Sequence, residues 1–239
     1  MYQVLGPKFV VAIAAWAALS LLTIFGVLGL PIPLRINVFI VDIVLLGVLF
    51  SNPVWRFVWN RTGPIGSWLS RKIYPYLNGT YDVVLQSNWP VVKRMLDAAR
   101  HEAKLFDPFD LHQTAPELLT VELEASIEQT WFEITMWVYP KGPDAVIKRS
   151  NTIATIPIKG AASSDKELIY IFEQENDSRS PTDDENHQGA ARLKIDHTNY
   201  SKLSGEYWNN RAWRRGVNAA GKLTLVRRST DPKLAGIGR

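Results

Sequence analysis

The sequence predicts an N-terminal two-helix transmembrane hairpin followed by an all-β domain, an eight-stranded up-and-down antiparallel β-barrel with one helix. Three observations predict it. The first 50 residues hold only three charged side chains, Lys8, Arg35 and Asp42, while the other 47 of the chain lie in the remaining 189 residues. From Leu77 onward apolar residues recur at every second position. The connections between those runs are short and rich in Gly, Pro, Asn and Ser, as between sequential antiparallel strands. The 239 residues thus divide into a two-span hairpin (1–50), an interfacial connector (51–76), a cytoplasmic barrel (77–228) and a flexible tail (229–239).

Phe9–Leu30 is uncharged, and as a helix it would reach about 33 Å, against a hydrocarbon layer of about 30 Å. It is too long for the apolar core of a secretory signal peptide, and a second run follows at once. Pro31 and Pro33 break the pattern, Arg35 sits at the tip, and Ile36–Phe50 returns with Asp42 inside it. A carboxylate at mid-bilayer depth costs about 2.5–3.5 kcal/mol. Asp42 therefore reads either as a contact between hairpins or the lining of an aqueous path, or as a residue near the surface that reaches water. Arg56, Arg61, Arg71 and Lys72 follow the second run without an acidic residue before Tyr81, which predicts both termini in the cytoplasm. Trp55, Trp59, Trp68, Tyr74 and Tyr76 lie among those cations, as an interfacial belt would.

Eight strands are expected: Gly79–Ser87, Leu118–Glu128, Thr130–Tyr139, Val146–Pro157, Glu167–Gln174, Gly189–Asp196, Leu203–Asn210 and Gly221–Arg228. Alternation is clearest in Val121/Leu123/Ala125/Ile127 against Glu122/Glu124/Ser126/Glu128. Pro90–Leu105 reads as the one helix, with Pro in its first turn and Val91, Met95, Leu96 and Ala99 on one side. Without crossover helices the strands close into an up-and-down barrel, with a sandwich as the alternative. Gly79-Thr80-Tyr81 and Gly205-Glu206-Tyr207 echo one another, which places both tyrosines on the inner face, as a packed floor near the membrane-proximal end.

Chain direction then sends odd strands to a distal rim and starts even strands there. Trp89, Arg149, Arg192, Asn209, Arg211 and Trp213 are the candidate ligand-binding residues that this topology gathers. Guanidinium groups bind phosphate in a fork and stack on rings, aromatic faces accept bases, and Asn offers both donor and acceptor to a base edge. An eight-stranded barrel has room for one small ligand. The set suits a small anionic nucleotide better than a fatty acid.

Other patterns carry no chemistry. Gly216–Lys222 has the spacing of a phosphate-binding loop, but Leu223 replaces the hydroxyl residue and a strand follows instead of a helix. His101-Glu102 lacks a second histidine, Glu173–His187 lacks calcium-loop spacing and reads as a solvated acidic loop, and no Gly-x-Ser-x-Gly elbow exists. With no cysteine there is no thiol nucleophile and no cysteine–zinc site. The expectation is a protein that is not an enzyme and needs no metal or resident cofactor.

The order of two spans, Trp/Arg connector and β-rich domain resembles the two-transmembrane, β-barrel effectors of cyclic-oligonucleotide-based antiphage signalling (CBASS) in bacteria. The residues behind the resemblance are the Phe9–Phe50 hairpin, Leu77–Tyr81 with Trp89 after it, and Leu203–Tyr207 leading into Arg211–Arg215 and Gly221–Leu225. The resemblance implies a lipocalin-like barrel that takes a cyclic di- or oligonucleotide as activating ligand, with homo-oligomer formation, an inner-membrane location, contact with the lipid bilayer and membrane disruption that kills the cell. It implies no DNA or RNA polymer as partner. The alternative expectation is a membrane-tethered barrel that carries or senses a lipid or small metabolite.

Overall fold

The computed structural model describes residues 4, 6–27, 40, 43–48, 50–59, 64–101, 105–110, 116–142, 147–160, 166–176 and 185–230. They fall into two compact units, Met1–Tyr76 with Gln129–Glu133, and Leu77–Glu128 with Ile134–Arg239.

The first unit contains helices α1 (Pro7–Val27), α2 (Asn52–Trp59) and α3 (Pro64–Lys72). Among the described residues no helix is long and apolar enough to cross a membrane. This overturns the expected two-span hairpin, and with it the multi-pass inner-membrane location and the membrane-disrupting or membrane-tethered role built on it. The sequence argument rested on scarcity of charge. In the structure the large apolar side chains Val11, Trp16, Leu19, Ile24 and Val27 of α1 are exposed. Asp42 and the turn at 31–35 lie outside the described residues.

The expected aromatic belt is also corrected. Trp55, Trp59, Tyr74 and Tyr76 are buried, and only Trp68 of that set is half exposed. Trp55 stacks on Trp59 and Tyr76 with centroids 5.9 and 5.3 Å away, and Trp131 meets Trp59 edge-on at 5.3 Å. The Trp59 indole donates to the Tyr74 carbonyl at 2.9 Å, and the Gln129 amide donates to the Pro75 carbonyl at 3.2 Å. These rings are the core of a small aromatic cluster. The composition of an interfacial belt and of such a core is the same.

The second unit is a closed barrel of eight strands in sequence order. They are β1 (Gly79–Ser87), β2 (Leu119–Gln129), β3 (Ile134–Pro140), β4 (Ile147–Lys159), β5 (Lys166–Asn176), β6 (Asn186–Ile195), β7 (Lys202–Asn209) and β8 (Ala220–Ser229). β1 pairs antiparallel with both β2 and β8, so no edge is left. β3 starts four residues later than the alternation suggests. The Thr130 hydroxyl accepts the amides of Phe132 and Glu133 and holds a turn there. One helix, α4 (Trp89–Arg100), follows β1 and ends where His101 turns extended.

The Leu77 end of the barrel is plugged. The Tyr81 hydroxyl donates to the Leu77 carbonyl at 2.6 Å and accepts from Arg227 Nε at 2.9 Å. Arg227 in turn donates its backbone amide to the Ser201 carbonyl at 2.7 Å. Tyr207 does not join this floor. β7 runs away from it, and Tyr207 pairs with Gly221 near the opposite rim. The two Gly-x-Tyr motifs share a different cause. Gly79, at φ +145°, and Gly205 each sit where a Cβ would run into a neighbouring backbone carbonyl, of Ser229 and Arg192 respectively.

Candidate functional site

The distal half of the barrel holds a cavity that opens to solvent at its mouth. Its walls differ. Leu85, Leu123, Met136, Val138, Ile147 and Leu223 make an apolar side, while Ser150, Asn151, Thr152 and Gln174 add polar groups from β4 and β5. Tyr170, Phe172 and Tyr207 supply the rings. Burial raises the pKa of Tyr170 and of Tyr207, so both hydroxyls stay protonated at neutral pH. For Tyr207 a hydrogen bond with Ser87 and the nearby charge of Arg211 act the other way.

Above the cavity the rim is polar along one arc. Inward alternation on β5 carries past Phe172 to Gln174 and Asn176, and β6 opens with His187 facing inward. Gln174 Nε2 lies 2.8 Å from Asn176 Oδ1, and Asn176 Nδ2 lies 3.2 Å from His187 Nδ1. On the far side of the ring, Asn209 Nδ2 is 3.4 Å from His187 Nε2, and Asn209 Oδ1 accepts the Ala219 amide at 2.9 Å. Asn176 and His187 are nearly fully buried. Three strands and the approach to β8 are tied by one amide–imidazole chain.

The next arc carries the charge. Arg211 lies over Trp89, its guanidinium carbon 4.1 Å from the ring centroid. The Trp89 amide donates to the Ser87 hydroxyl at 3.2 Å, and Asn88 brackets β8 by exchanging hydrogen bonds with both the amide and carbonyl of Ala220. Arg211 is delivered by a turn in which Ala212 takes a left-handed backbone (φ +40°), a sparsely populated state for a residue with a Cβ. Trp213 follows, exposed, with Arg214 over its ring at 5.5 Å.

Of the six residues expected at the mouth, the structure brings Trp89, Asn209 and Arg211 together and places Trp213 on the exposed turn beside them. Arg149 and Arg192 are elsewhere, which corrects their assignment. Arg149 points outward from β4 and binds Glu175 at 2.8 Å. Arg192 stands between inward Ala191 and Leu193, so its side chain faces solvent, where it forms a fork with Glu167 at 2.7 and 3.0 Å. Sequence reasoning missed Gln174, Asn176 and His187: it ended a strand at Gln174 and read Glu173–His187 as a solvated acidic loop. The usable signal was period two continuing in polar residues.

No cysteine is present, and among the described residues no group of three His, Asp or Glu side chains could hold a metal. No family model matches the chain. A curated relative does. The chain is similar to CD-NTase-associated protein 15 of Escherichia albertii. The two are 24% identical over 226 residues, spanning 94% of this chain and 97% of that relative. The expected resemblance to two-transmembrane effectors is therefore corrected. What stands is distant similarity to a CD-NTase-associated protein and an eight-stranded barrel, without support for the two spans.

Proposed function

We propose that this chain is a binding protein, not an enzyme, that acts alongside a CD-NTase and takes a cyclic nucleotide into the distal mouth of its barrel. The observation that supports this most is the Arg211–Trp89 pair beside a largely apolar cavity with polar groups on one wall. In this reading a planar base enters the mouth and the phosphodiester ring stays at the rim beside Arg211. The rings of Tyr170, Phe172 and Tyr207 offer faces to the base, and the guanidinium offers its fork to a phosphate. The similarity to a CD-NTase-associated protein supports the pairing with such an enzyme.

The test is the thermal midpoint of the full chain against cyclic di- and trinucleotides, with linear nucleotides and fatty acids as controls. Ligand at a hundred times its dissociation constant stabilises by about 2.7 kcal/mol, which is a shift of several degrees. The reading requires a shift with a cyclic nucleotide that is lost in Arg211→Ala and Trp89→Leu with folding kept. A shift with fatty acids alone would give the cavity to an apolar ligand and overturn it.

A further inference from the structure

We propose that the Tyr170 hydroxyl anchors the ligand at the deep end of the cavity, by donating a hydrogen bond to the polar edge of an inserted base, and that the same group turns away a hydrocarbon chain. The inference rests on the cyclic-nucleotide reading of the mouth and goes beyond it to the residue that makes a base the required insert.

Tyr81, Tyr170 and Tyr207 face the inside of the barrel, and two of them have protein partners. The Tyr81 hydroxyl is held by Leu77 and Arg227, and that of Tyr207 by Ser87. The Tyr170 hydroxyl meets no hydrogen-bonding group among the described residues. Its ring packs against Phe172 with centroids 6.0 Å apart. The residue is only 3% exposed and lines the cavity. In register it lies opposite Thr155 and Ala191, two residues deeper along β5 than Phe172 and four deeper than Gln174. The side chains of Leu123, Met136 and Leu223, which share the cavity, hold no oxygen or nitrogen. Burial raises the pKa of Tyr170 and no charge or hydrogen bond opposes it, so the phenol keeps its proton and stays a donor.

A phenylalanine would fill the same place, as Phe172 does two residues away, without taking a hydroxyl out of bulk water. A buried hydroxyl without a protein partner costs stability, and buried tyrosines usually find one. The unmet donor is therefore matched to something that enters the cavity. Ser150 repeats the pattern. It is 8% exposed, lines the same cavity, and its hydroxyl meets no hydrogen-bonding group among the described residues. Carbonyl oxygens and ring nitrogens on a base edge satisfy such hydroxyls, and an acyl chain does not. A site built to hydrogen-bond its insert rejects one that lacks the partner atoms.

The test measures affinity of the full chain for cyclic di-AMP, cyclic di-GMP and palmitate, in the native protein and in Tyr170→Phe. The substitution keeps the ring face and removes only the oxygen. The dissociation constant of whichever dinucleotide binds should rise at least about tenfold. Palmitate should bind no more weakly than before, and the ligand-free variant should melt no lower than the native chain. A smaller loss of dinucleotide affinity overturns the anchor, and weaker palmitate binding overturns the selection against hydrocarbon. Lower melting of the ligand-free variant overturns both, because the hydroxyl would then serve the fold. Failure of both dinucleotides to bind the native chain would instead sink the reading of the mouth, and this inference with it.

Discussion

Lys166 begins β5 with its side chain almost wholly buried and its ammonium 5.4 Å from the Tyr200 ring centroid. Burial first, and the charge of Lys159 second, bring its pKa down to about 8. In the unfolded chain a lysine titrates near 10.4. Between those values the unfolded state holds the extra proton, so stability must rise with pH from about 8 upward, and the cost of burying the charge is fully present below 8. Urea unfolding at pH 7.5 and 9.5 should show that gain in the native chain and lose it in Lys166→Met. The raised pKa values of Tyr170 and Tyr207 act oppositely, but only near pH 10 and above, where unfolded tyrosines ionise. Two arginines make the matching test at the mouth. Arg192→Gln, on the outer wall, should leave ligand affinity within about twofold, while Arg211→Gln should weaken it at least about tenfold.

At the scale of the strand pair, the β3–β4 seam takes side-chain hydrogen bonds into its ladder. Its ladder pairs Trp137 with Asn151 and Val138 with Ser150. Next to them side chains substitute for backbone partners. The Thr152 hydroxyl accepts the Met136 amide at 2.9 Å, and the Thr155 hydroxyl donates to the Ile134 carbonyl at 2.8 Å. Thr152→Val keeps the shape and strands the Met136 amide, which should cost about 1–3 kcal/mol in chemical denaturation. Faster exchange at Met136 than at Leu123 would locate the loss. The eight strands were legible because their walls alternate against an apolar core, as in Val121 to Ile127. The mouth was not, for the same reason. Gln174, Asn176 and His187 continue the inward alternation in polar residues, because there the wall lines the mouth and not an apolar core. Arg149 and Arg192 failed differently. Chain direction places a residue near a rim but leaves its facing to the register, and one step turns a side chain outward.

For the molecule as a whole, closure is what each glycine contact and each rim bond depends on. Gly205→Ala would press a methyl group onto the Arg192 carbonyl in the middle of β7. A loss of about 1–3 kcal/mol is expected, read as a lower melting temperature. A barrel that tolerated this change would not be closed as tightly as β6, β7 and β8 pair here. Pairing of the first strand with the last also sets a clock on synthesis. β1 leaves the ribosome long before Ala220–Ser229 exists, and at about 5–20 residues per second its outer edge stays unmatched for on the order of ten seconds. Until then the nascent chain is an open sheet, exposed to any strand that can pair with it. A message cut short before β8 would leave that sheet open for good. Such a product should be cleared by proteases or found in aggregates, and not as a weaker version of the native barrel.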